Sequence, residues 1–317
     1  MGGHPVESTL VPQGGLLASV RLFTHARRWK AAVFEEDERR LALFCLMKRL
    51  VRAKGCRVVS VGANLTPPRS LRGRLRVRVI GWLLREVDLF LCYIRATERM
   101  RITYRLDPRR FAFVPFKVNT FDLVRAVAPS DDGFALVCGR SDRDYRTLAA
   151  AARGLDVPIV VLTGPDHAEL GVDVDRAAMP PNVTVRSDDG SAHSWVGWIA
   201  RARFVVLPVL PDVLKASGIS TYLVAMALGK AVIMSDSPAT QGLIDGGQAV
   251  IVPASDPAAL REAIARVAAD TAFRERTAAA GRAYARALGD EGRLADDIAR
   301  LVESLIDGGV RSVPAAS

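Results

Sequence analysis

Residues 215–236 read KASGISTYLVAMALGKAVIMSD. The segment predicts a loop, a short helix and a buried strand in succession, because Gly218 precedes an apolar run that ends before Gly229. Ser220 or Thr221 is expected to cap the helix. Free backbone N–H groups at such a helix start point to one place, with the positive end of the helix dipole behind them. The segment therefore predicts an anion-binding loop, although an ordinary strand-to-helix turn is the alternative.

A second loop with the same setting lies upstream. Gly139 ends an apolar strand, and a helix begins a few residues later at Tyr145. Ligands of open parallel sheets bind at the carboxyl ends of the strands. Arg140 and Arg143 lie on this loop and are suited to neutralise a diphosphate. Two solvated loop arginines are the alternative interpretation.

Apolar, β-branched runs alternate with helix-length stretches along most of the 317 residues, half of which are apolar and a quarter charged. This composition excludes a disordered chain, and the alternation predicts βαβ units with parallel sheets. The predicted strands are Ala31–Phe34, Arg57–Val61, Leu89–Tyr93, Phe111–Pro115, Ala135–Gly139, Pro158–Thr163, Val183–Arg186, Phe204–Pro208, Ala231–Ser235 and Ala249–Val252. The predicted helices are Glu38–Ala53, Arg95–Tyr104, Tyr145–Gly154, Ser191–Ala202, Thr221–Leu228, Pro257–Ala269 and an amphipathic helix over residues 291–306.

The domain boundary is expected near residues 118–130, where a strand gives way to a polar turn before the next strand begins. We expect an N-terminal α/β domain over residues 1–118 and a C-terminal α/β domain over 119–290. A helix with a frayed tail over 291–317 is expected to pack back toward the first domain. No apolar run is long enough to span a bilayer. We expect no secretory signal at the N-terminus, and the four separated cysteines predict buried thiols in a reducing cytoplasm.

Several motifs of the C-terminal half occur in the order found in one enzyme family. They are Phe113–Asn119, Leu136–Arg140, Pro181–Val183, Phe204–Pro208, Ala216–Asp236, Asp245–Gly247 and Val252–Leu260. Together they resemble the nucleotide-sugar-binding domain of GT-B glycosyltransferases, specifically the retaining family 4. The resemblance implies an α/β fold of two Rossmann-like domains that face a cleft, with the donor held mainly by the second domain.

The resemblance also implies a set of site residues. Arg140 and Lys215 are expected to balance the charge that grows on the departing nucleoside diphosphate, as catalytic groups. The donor diphosphate is expected to bind Arg140, Arg143, Lys215, Ser217, Gly218, Ile219, Ser220 and Thr221. Neither a metal nor another cofactor is expected, and Asp188-Asp189 is interpreted as a turn rather than a metal site.

Two departures from the family pattern are visible. The two glutamates that family members use in this segment are replaced by Ala216 and Val224, so the ribose lacks its usual carboxylate acceptor. The N-terminal domain also looks shortened, to about four strands. On its acceptor side the candidates are Gly14 and Gly15, as a remnant glycine loop, and Glu35 and Glu36, for which capping of the next helix is the alternative.

A basic stretch distinguishes the N-terminal half. Residues 69–110 contain twelve arginines and four acidic residues, and so carry most of the net charge of +10. The arginines at the start of this stretch resemble the basic face with which some GT-B enzymes dock on anionic membranes; they are Arg69, Arg72, Arg74, Arg76 and Arg78. A period of two favours a strand here and the residues that follow favour a helix, so an amphipathic helix is not established. A solvated basic face is the alternative, and nucleic acid is disfavoured because exposed aromatics are lacking.

Two functions follow as hypotheses. The first is a retaining glycosyltransferase that moves a sugar from a nucleotide-diphosphate sugar to a polysaccharide or lipid-linked acceptor, in the cytoplasm at the inner membrane face. The second is a catalytically weak GT-B-fold partner protein of a polysaccharide assembly complex, which the missing glutamates and the shortened domain favour.

Overall fold

A computed structural model describes residues 23–24, 29–51, 55–139, 141–164 and 174–308. The first domain contains a parallel four-stranded sheet whose strands follow one another in chain order. Its strands are β1 (Ala31–Glu35), β2 (Arg57–Val61), β3 (Leu89–Cys92) and β4 (Phe111–Phe113). The connecting helices are α1 (Glu38–Val51), α2 (Leu71–Leu83) and α3 (Glu98–Tyr104). The expectation of about four strands is confirmed within the described residues.

The second domain contains a parallel six-stranded sheet of order β10-β9-β8-β5-β6-β7. Its strands are β5 (Ala135–Val137), β6 (Ile159–Thr163), β7 (Val183–Ser187), β8 (Phe204–Leu207), β9 (Ala231–Ser235) and β10 (Val250–Val252). Helix α4 (Phe121–Ala126) precedes the sheet. The helices within and after it are α5 (Tyr145–Ala152), α6 (Ala192–Arg201), α7 (Ile219–Ala227), α8 (Pro257–Ala269) and α9 (Thr271–Leu288). The prediction of two parallel-sheet α/β units is confirmed.

The first sheet has its helices on one face, as right-handed crossovers between strands in sequential order require. Alternate residues of the strands face opposite sides, so Val58 packs with the α1 and α2 side and Val59 with the other side. That other side is covered from the far end of the chain by helix α10 (Glu291–Ile306), whose Leu294 and Leu301 share a core with Val59. The first domain therefore completes its core with the last described helix.

Two sequence expectations differ from the structure. The arginine-rich segment predicted with a period of two is one continuous helix, α2, which Ser70 caps by accepting a hydrogen bond from the Gly73 N–H at 3.0 Å. Helix α9, the longest described helix, was not predicted. It carries four arginines and most of its apolar residues are alanines, so its periodicity is weak. Only a narrow stripe of Thr277, Gly281 and Ala285 is buried.

None of the helices in the described ranges is both long and apolar enough to cross a membrane. The four cysteines are free and buried, as predicted.

Candidate functional site

A pocket of about 730 Å³ lies between the two sheets, at the carboxyl ends of their strands. The first domain contributes residues that follow β2 and β3, including Asn64 and Tyr93. The second domain contributes the loops after β5 and β6 and the segment that leads into α7. The pocket therefore lies where the two domains meet.

The topology of the second sheet brings two of these loops together. Strand β5 pairs with β6 on one side and β8 on the other, so the strand order reverses between β5 and β8. The loops after these two strands border the crevice at this reversal, which is where open α/β sheets bind ligands. Two backbone hydrogen bonds tie the loops, from Leu210 N–H to Asp142 O at 3.0 Å and from Asp144 N–H to Pro208 O at 2.9 Å. The predicted anion loop and the arginine loop are thus neighbours.

The start of helix α7 is open toward the pocket. The N-cap is Gly218, in a left-handed conformation with φ 90°, and no side chain caps the helix. The backbone N–H groups of Ser217 and Ile219 donate to the Lys215 and Ala216 carbonyls. Three N–H groups have no hydrogen-bond partner among the residues that the structure describes, namely those of Gly218, Ser220 and Thr221. Three donors at a helix N-terminus remain available for an anion.

The expectation that Ser220 or Thr221 caps α7 is wrong. The Ser220 hydroxyl accepts a hydrogen bond from Asn119 Nδ2 at 3.0 Å, across to the segment that joins the domains. Thr221 is buried within the helix. Glycine at the N-cap leaves the helix N–H groups free for a ligand instead of satisfying them internally.

Arg143 lies beneath the pocket and is almost fully buried, with 6% of its surface exposed. Its Nε and Nη1 donate to the carbonyls of Cys138 and Ser141, both at 2.9 Å. A Cβ on Gly139 would collide with this guanidinium, and one on Gly218 would lie 3.7 Å from its Nη2. Burial lowers the pKa of Arg143, but a guanidinium stays charged in proteins. The alternative of a solvated loop arginine is wrong at Arg143, which places a buried positive charge between the two loops.

Lys215 also lines the pocket, in contact with an acidic side chain. Its Nζ lies 3.1 Å from Oδ2 of Asp142, and the Ser217 hydroxyl donates to the same oxygen at 2.6 Å. Asp142 has a left-handed backbone with φ 56°, which turns its side chain back toward the α7 loop. The carboxylate fixes the ammonium and the hydroxyl at the edge of the anion loop.

A second polar group on the pocket wall was missed by sequence reasoning. Lys117 donates to Asn119 Oδ1 and lies 3.4 Å from Glu291 Oε1, which also accepts the Thr120 N–H at 2.9 Å. Lys117, Asn119 and Glu291 all line the pocket. Glu291 begins helix α10, far along the chain from Lys117, so only the fold brings them together. The sequence feature that could have identified Lys117 as a pocket residue was its position in the segment that joins the domains.

The comparisons with known proteins agree with this geometry. Residues 150–270 match the family described as Glycosyl transferases group 1. A sucrose-phosphate synthase from Thermosynechococcus elongatus superposes with a TM-score of 0.69 at 18% identity, covering 93% of this chain and 79% of that chain. HepE of Anabaena, solved with UDP and glucose, gives 0.68 at 16% identity, covering 92% and 84%. This protein has the GT-B fold. A trehalose-phosphate synthase from Burkholderia xenovorans, solved with glucose-6-phosphate, gives 0.65 at 14% identity, covering 90% and 77%. Among curated proteins, no sequence matches this chain.

The prediction of a GT-B glycosyltransferase is confirmed at the level of the fold and of the group 1 segment in the second domain. The predicted diphosphate-binding residues that the structure describes all line the pocket of the GT-B cleft; they are Arg143, Lys215, Ser217, Gly218, Ile219, Ser220 and Thr221. Arg140, Gly14 and Gly15 lie outside the described residues. The roles assigned to these residues stay predictions.

The remaining predicted residues divide between the pocket and other places. Glu36 lines the pocket, whereas Glu35 lies outside it and accepts a hydrogen bond from the Tyr93 hydroxyl at 3.4 Å. Ala216 lines the pocket, but Val224 is fully buried in the core of the second domain. Of the two positions that lack the family glutamates, Ala216 therefore faces the GT-B cleft and Val224 does not.

The Asp188-Asp189 pair forms a turn, as interpreted from the sequence. Asp188 Oδ1 accepts the Gly190 N–H at 3.0 Å, and Asp189 Oδ1 accepts the Ser191 N–H at 2.8 Å. These bonds order the entry into helix α6, which Ser191 caps through the Ser194 N–H.

An apolar stripe lies on the outside of helix α2. It consists of Leu71, Leu75, Val79 and Trp82, which share one helix face and are exposed by 80%, 64%, 50% and 42%. All eight large hydrophobic residues that are exposed among the described residues belong to the first domain. The arginines Arg69, Arg72, Arg74 and Arg78 are exposed on the same segment, while Arg76 lines a second cavity of the GT-B cleft.

Proposed function

We propose that this protein is a retaining glycosyltransferase that moves a sugar from a nucleotide-diphosphate sugar to a polysaccharide or lipid-linked acceptor. The observation that carries the proposal is the open N-terminus of α7 beside the buried Arg143 guanidinium. Three free N–H groups and one fixed cation meet at the switch point of the second sheet. This arrangement suits a diphosphate, whose negative charge is held by amide donors and a guanidinium together.

The same groups suit the chemistry of transfer. As the bond between the sugar and the diphosphate breaks, negative charge grows on the leaving diphosphate. Fixed donors and cations that are already oriented stabilise this charge without reorganising. Lys215 adds a second positive charge at the edge of the loop, where Asp142 holds it. We propose that these residues serve the leaving group without a bound metal, so turnover is expected to be unaffected by a chelator.

UDP is the first nucleotide to test, because HepE was solved with UDP and with UDP-glucose. With alanine at 216 and a buried valine at 224, other groups must bind the ribose. The alternative is a partner protein with the GT-B fold and little turnover. Nucleotide binding without sugar transfer would favour that alternative.

We propose further that the protein acts in the cytoplasm, on the inner membrane face. The support is the exposed stripe of α2, flanked by exposed arginines of the same segment. Interfacial helices bury such an apolar face among acyl chains while basic residues contact anionic headgroups. This placement would bring a lipid-linked acceptor close to the cleft.

The experiment is a thermal unfolding titration with UDP, GDP and ADP. A nucleotide at 100 times its dissociation constant stabilises the folded state by about 2.7 kcal/mol. Lys215→Gln is expected to weaken the affinity for the nucleotide about tenfold, because a charge-assisted contact is lost. The stabilisation at a given nucleotide concentration is then smaller. The matched control is Lys30→Gln, an exposed lysine at the start of the first sheet. No stabilisation by any of the three nucleotides would contradict the proposal.

Transfer itself is followed with UDP-glucose and a glucoside acceptor by proton NMR of the anomeric signal. An α-configured product from the α-configured donor is expected. A β-configured product would overturn the retaining mechanism and leave nucleotide binding in place.

A further inference from the structure

The segment that leads from β8 to the open start of α7 is buried in two different cores. Val213 packs in a core with Leu207 of β8, whereas the next residue, Leu214, packs in the core of the first domain. Leu214 is 2% exposed, and every other buried side chain of that core lies within residues 23–106. Among the described residues, Leu214 is therefore the one buried side chain that the second domain contributes to this core of the first.

A surface contact ties the same segment to helix α3. Arg99 donates from Nη1 to the Pro211 carbonyl at 3.1 Å and from Nη2 to Asp212 Oδ1 at 2.5 Å. Both charged side chains are more than half exposed, so this pair stabilises the attachment only weakly. Ala216 also packs against the core that holds Leu214. The buried Leu214 side chain is therefore the main anchor of the segment on the first domain.

The backbone of this segment is held by few hydrogen bonds. Within the part of the chain that the structure describes, no backbone N–H of residues 212–216 donates a hydrogen bond. The carbonyls of Lys215 and Ala216 accept only from the turn that follows, from the Ser217 and Ile219 N–H groups. A loop with so few backbone bonds is kept in place by its buried apolar contacts. The position of the segment therefore depends on where its side chains are seated.

The anchor lies next to the groups proposed to bind the diphosphate. Lys215 directly follows Leu214, and three residues separate Leu214 from the N-cap Gly218, so a shift of Leu214 is passed on to the loop. Lys215 also interacts with the first domain. Burial raises the pKa of Glu38, at the start of α1, to about 7, and the positive charge of Lys215 is the largest of the interactions that oppose this rise.

We propose that Leu214 is a positioning residue, whose burial in the first domain sets the place of Lys215 and of the free N–H groups at the start of α7. The first domain then contributes to diphosphate binding without touching the ligand. Leu214 itself lines neither the pocket nor the second cavity, so it acts through the loop. The inference rests on the proposed function for the nature of the ligand, but the seating of the loop is a property of the chain without any ligand.

The first test is amide hydrogen exchange of the full-length protein without nucleotide. The reporters are the N–H groups of Ser217, Ile219 and Tyr222, which donate to the carbonyls of Lys215, Ala216 and Gly218. Leu214→Ala is expected to speed their exchange at least tenfold, because the loop opens more often once its anchor is truncated. Leu214→Met keeps most of the apolar volume and is expected to restore exchange close to that of the unmodified protein.

The matched control is Leu41→Ala in α1. Leu41 is 3% exposed in the same core and lines neither cavity, so its truncation removes the same atoms at equal burial without touching the loop. The control is expected to leave the three reporters within about twofold of the unmodified protein, at a temperature at which all the variants are folded.

The second test is calorimetric titration of the same four proteins with UDP. Leu214→Ala is expected to weaken UDP about tenfold although Arg143 and Lys215 are both present, as coupling between distant groups does. Leu214→Met and Leu41→Ala are expected to bind UDP as the unmodified protein does.

Equal effects of Leu214→Ala and Leu41→Ala, on exchange or on affinity, would show a general loss of core packing and would overturn the proposal. Unchanged UDP affinity in Leu214→Ala would overturn it too and leave the proposed function in place. Faster exchange confined to Leu214→Ala, in a protein that binds no nucleotide, would support the seating of the loop by Leu214 and contradict the proposed function.

Discussion

The Lys215 ammonium and the Asp142 carboxylate lie 3.1 Å apart at the edge of the open helix N-terminus. Asp142 also accepts the Ser217 hydroxyl at 2.6 Å, so one carboxylate holds two groups of the anion loop. It also places a negative charge close to where a diphosphate is expected to bind. Asp142 therefore organises the loop and opposes its ligand at the same time.

Asp142→Asn is expected to bind UDP several-fold more tightly than the unmodified protein. The amide oxygen still accepts the Ser217 hydroxyl, while the repulsion between the carboxylate and the diphosphate is removed. Isothermal titration calorimetry with UDP measures the change, and Asp296→Asn on the exposed side of α10 is the control. Weaker binding by Asp142→Asn would show that fixing Lys215 matters more than the repulsion.

Gly81→Ala is expected to destabilise the first domain by about 2–3 kcal/mol. A Cβ at Gly81 in α2 would lie 2.2 Å from the backbone carbonyl oxygen of Tyr104, which ends α3, and the atoms that it would meet all belong to the backbone, which cannot rotate away as a side chain could. Chemical unfolding measures the free energy. The control is Gly197→Ala in α6, where a Cβ meets nothing within 4 Å, and which should stabilise by about 0.5–1 kcal/mol. Equal effects of the two substitutions would refute the close packing of α2 on α3.

The stability of the protein is expected to depend on pH through Glu38. Its pKa is raised from 4.5 to about 7, so the folded state holds a proton that the unfolded state releases. The stabilisation is therefore complete below pH 4.5 and is lost as the pH rises through 7. Relative to Glu38→Gln, which cannot ionise, the unmodified protein should lose about 1–2 kcal/mol over this range, allowing for solvent screening of a group that is not fully buried. Urea unfolding of both proteins at the two ends of the range measures this; parallel pH curves would argue against it.

Binding to vesicles that contain anionic lipid should depend on the α2 stripe and its arginines. Replacing Leu75 and Val79 together by Glu is expected to reduce binding at least tenfold, because two exposed apolar side chains no longer enter the bilayer. Flotation with liposomes measures the bound fraction, and Arg276→Glu on α9 is a control for loss of positive charge elsewhere. Binding by the unmodified protein that is insensitive to salt would contradict electrostatic docking.

Much of the fold could be predicted because its signals are local. Ten apolar runs correspond to the ten described strands, and the stripe of Leu294, Ile298 and Leu301 gave the bounds of α10. Segment 71–83 was ambiguous because residues 72–79, RGRLRVRV, alternate with a period of two, which resembles a strand. The structure forms one helix there, and its Leu71, Leu75 and Val79 face outward.

The candidate site was predicted only in part. Arg143 was chosen for its charge and its place after a strand, but its burial depends on carbonyls and glycines from two loops that the strand order brings together. The contact of Lys117 with Glu291 joins the segment between the domains to the last helix. Glu38 begins α1 as Glu98 begins α3, and nothing local in the sequence predicts the burial that raises the pKa of Glu38. Such contacts are set by topology, which a single sequence does not reveal.

Helix α10 has a consequence for the order of folding during synthesis. The four-stranded sheet leaves the ribosome early, yet one of its faces stays uncovered until Leu294 and Leu301 have emerged. Over that interval the nascent first domain exposes Val59 and its apolar neighbours, and its assembly cannot finish before helix α10 has been synthesised.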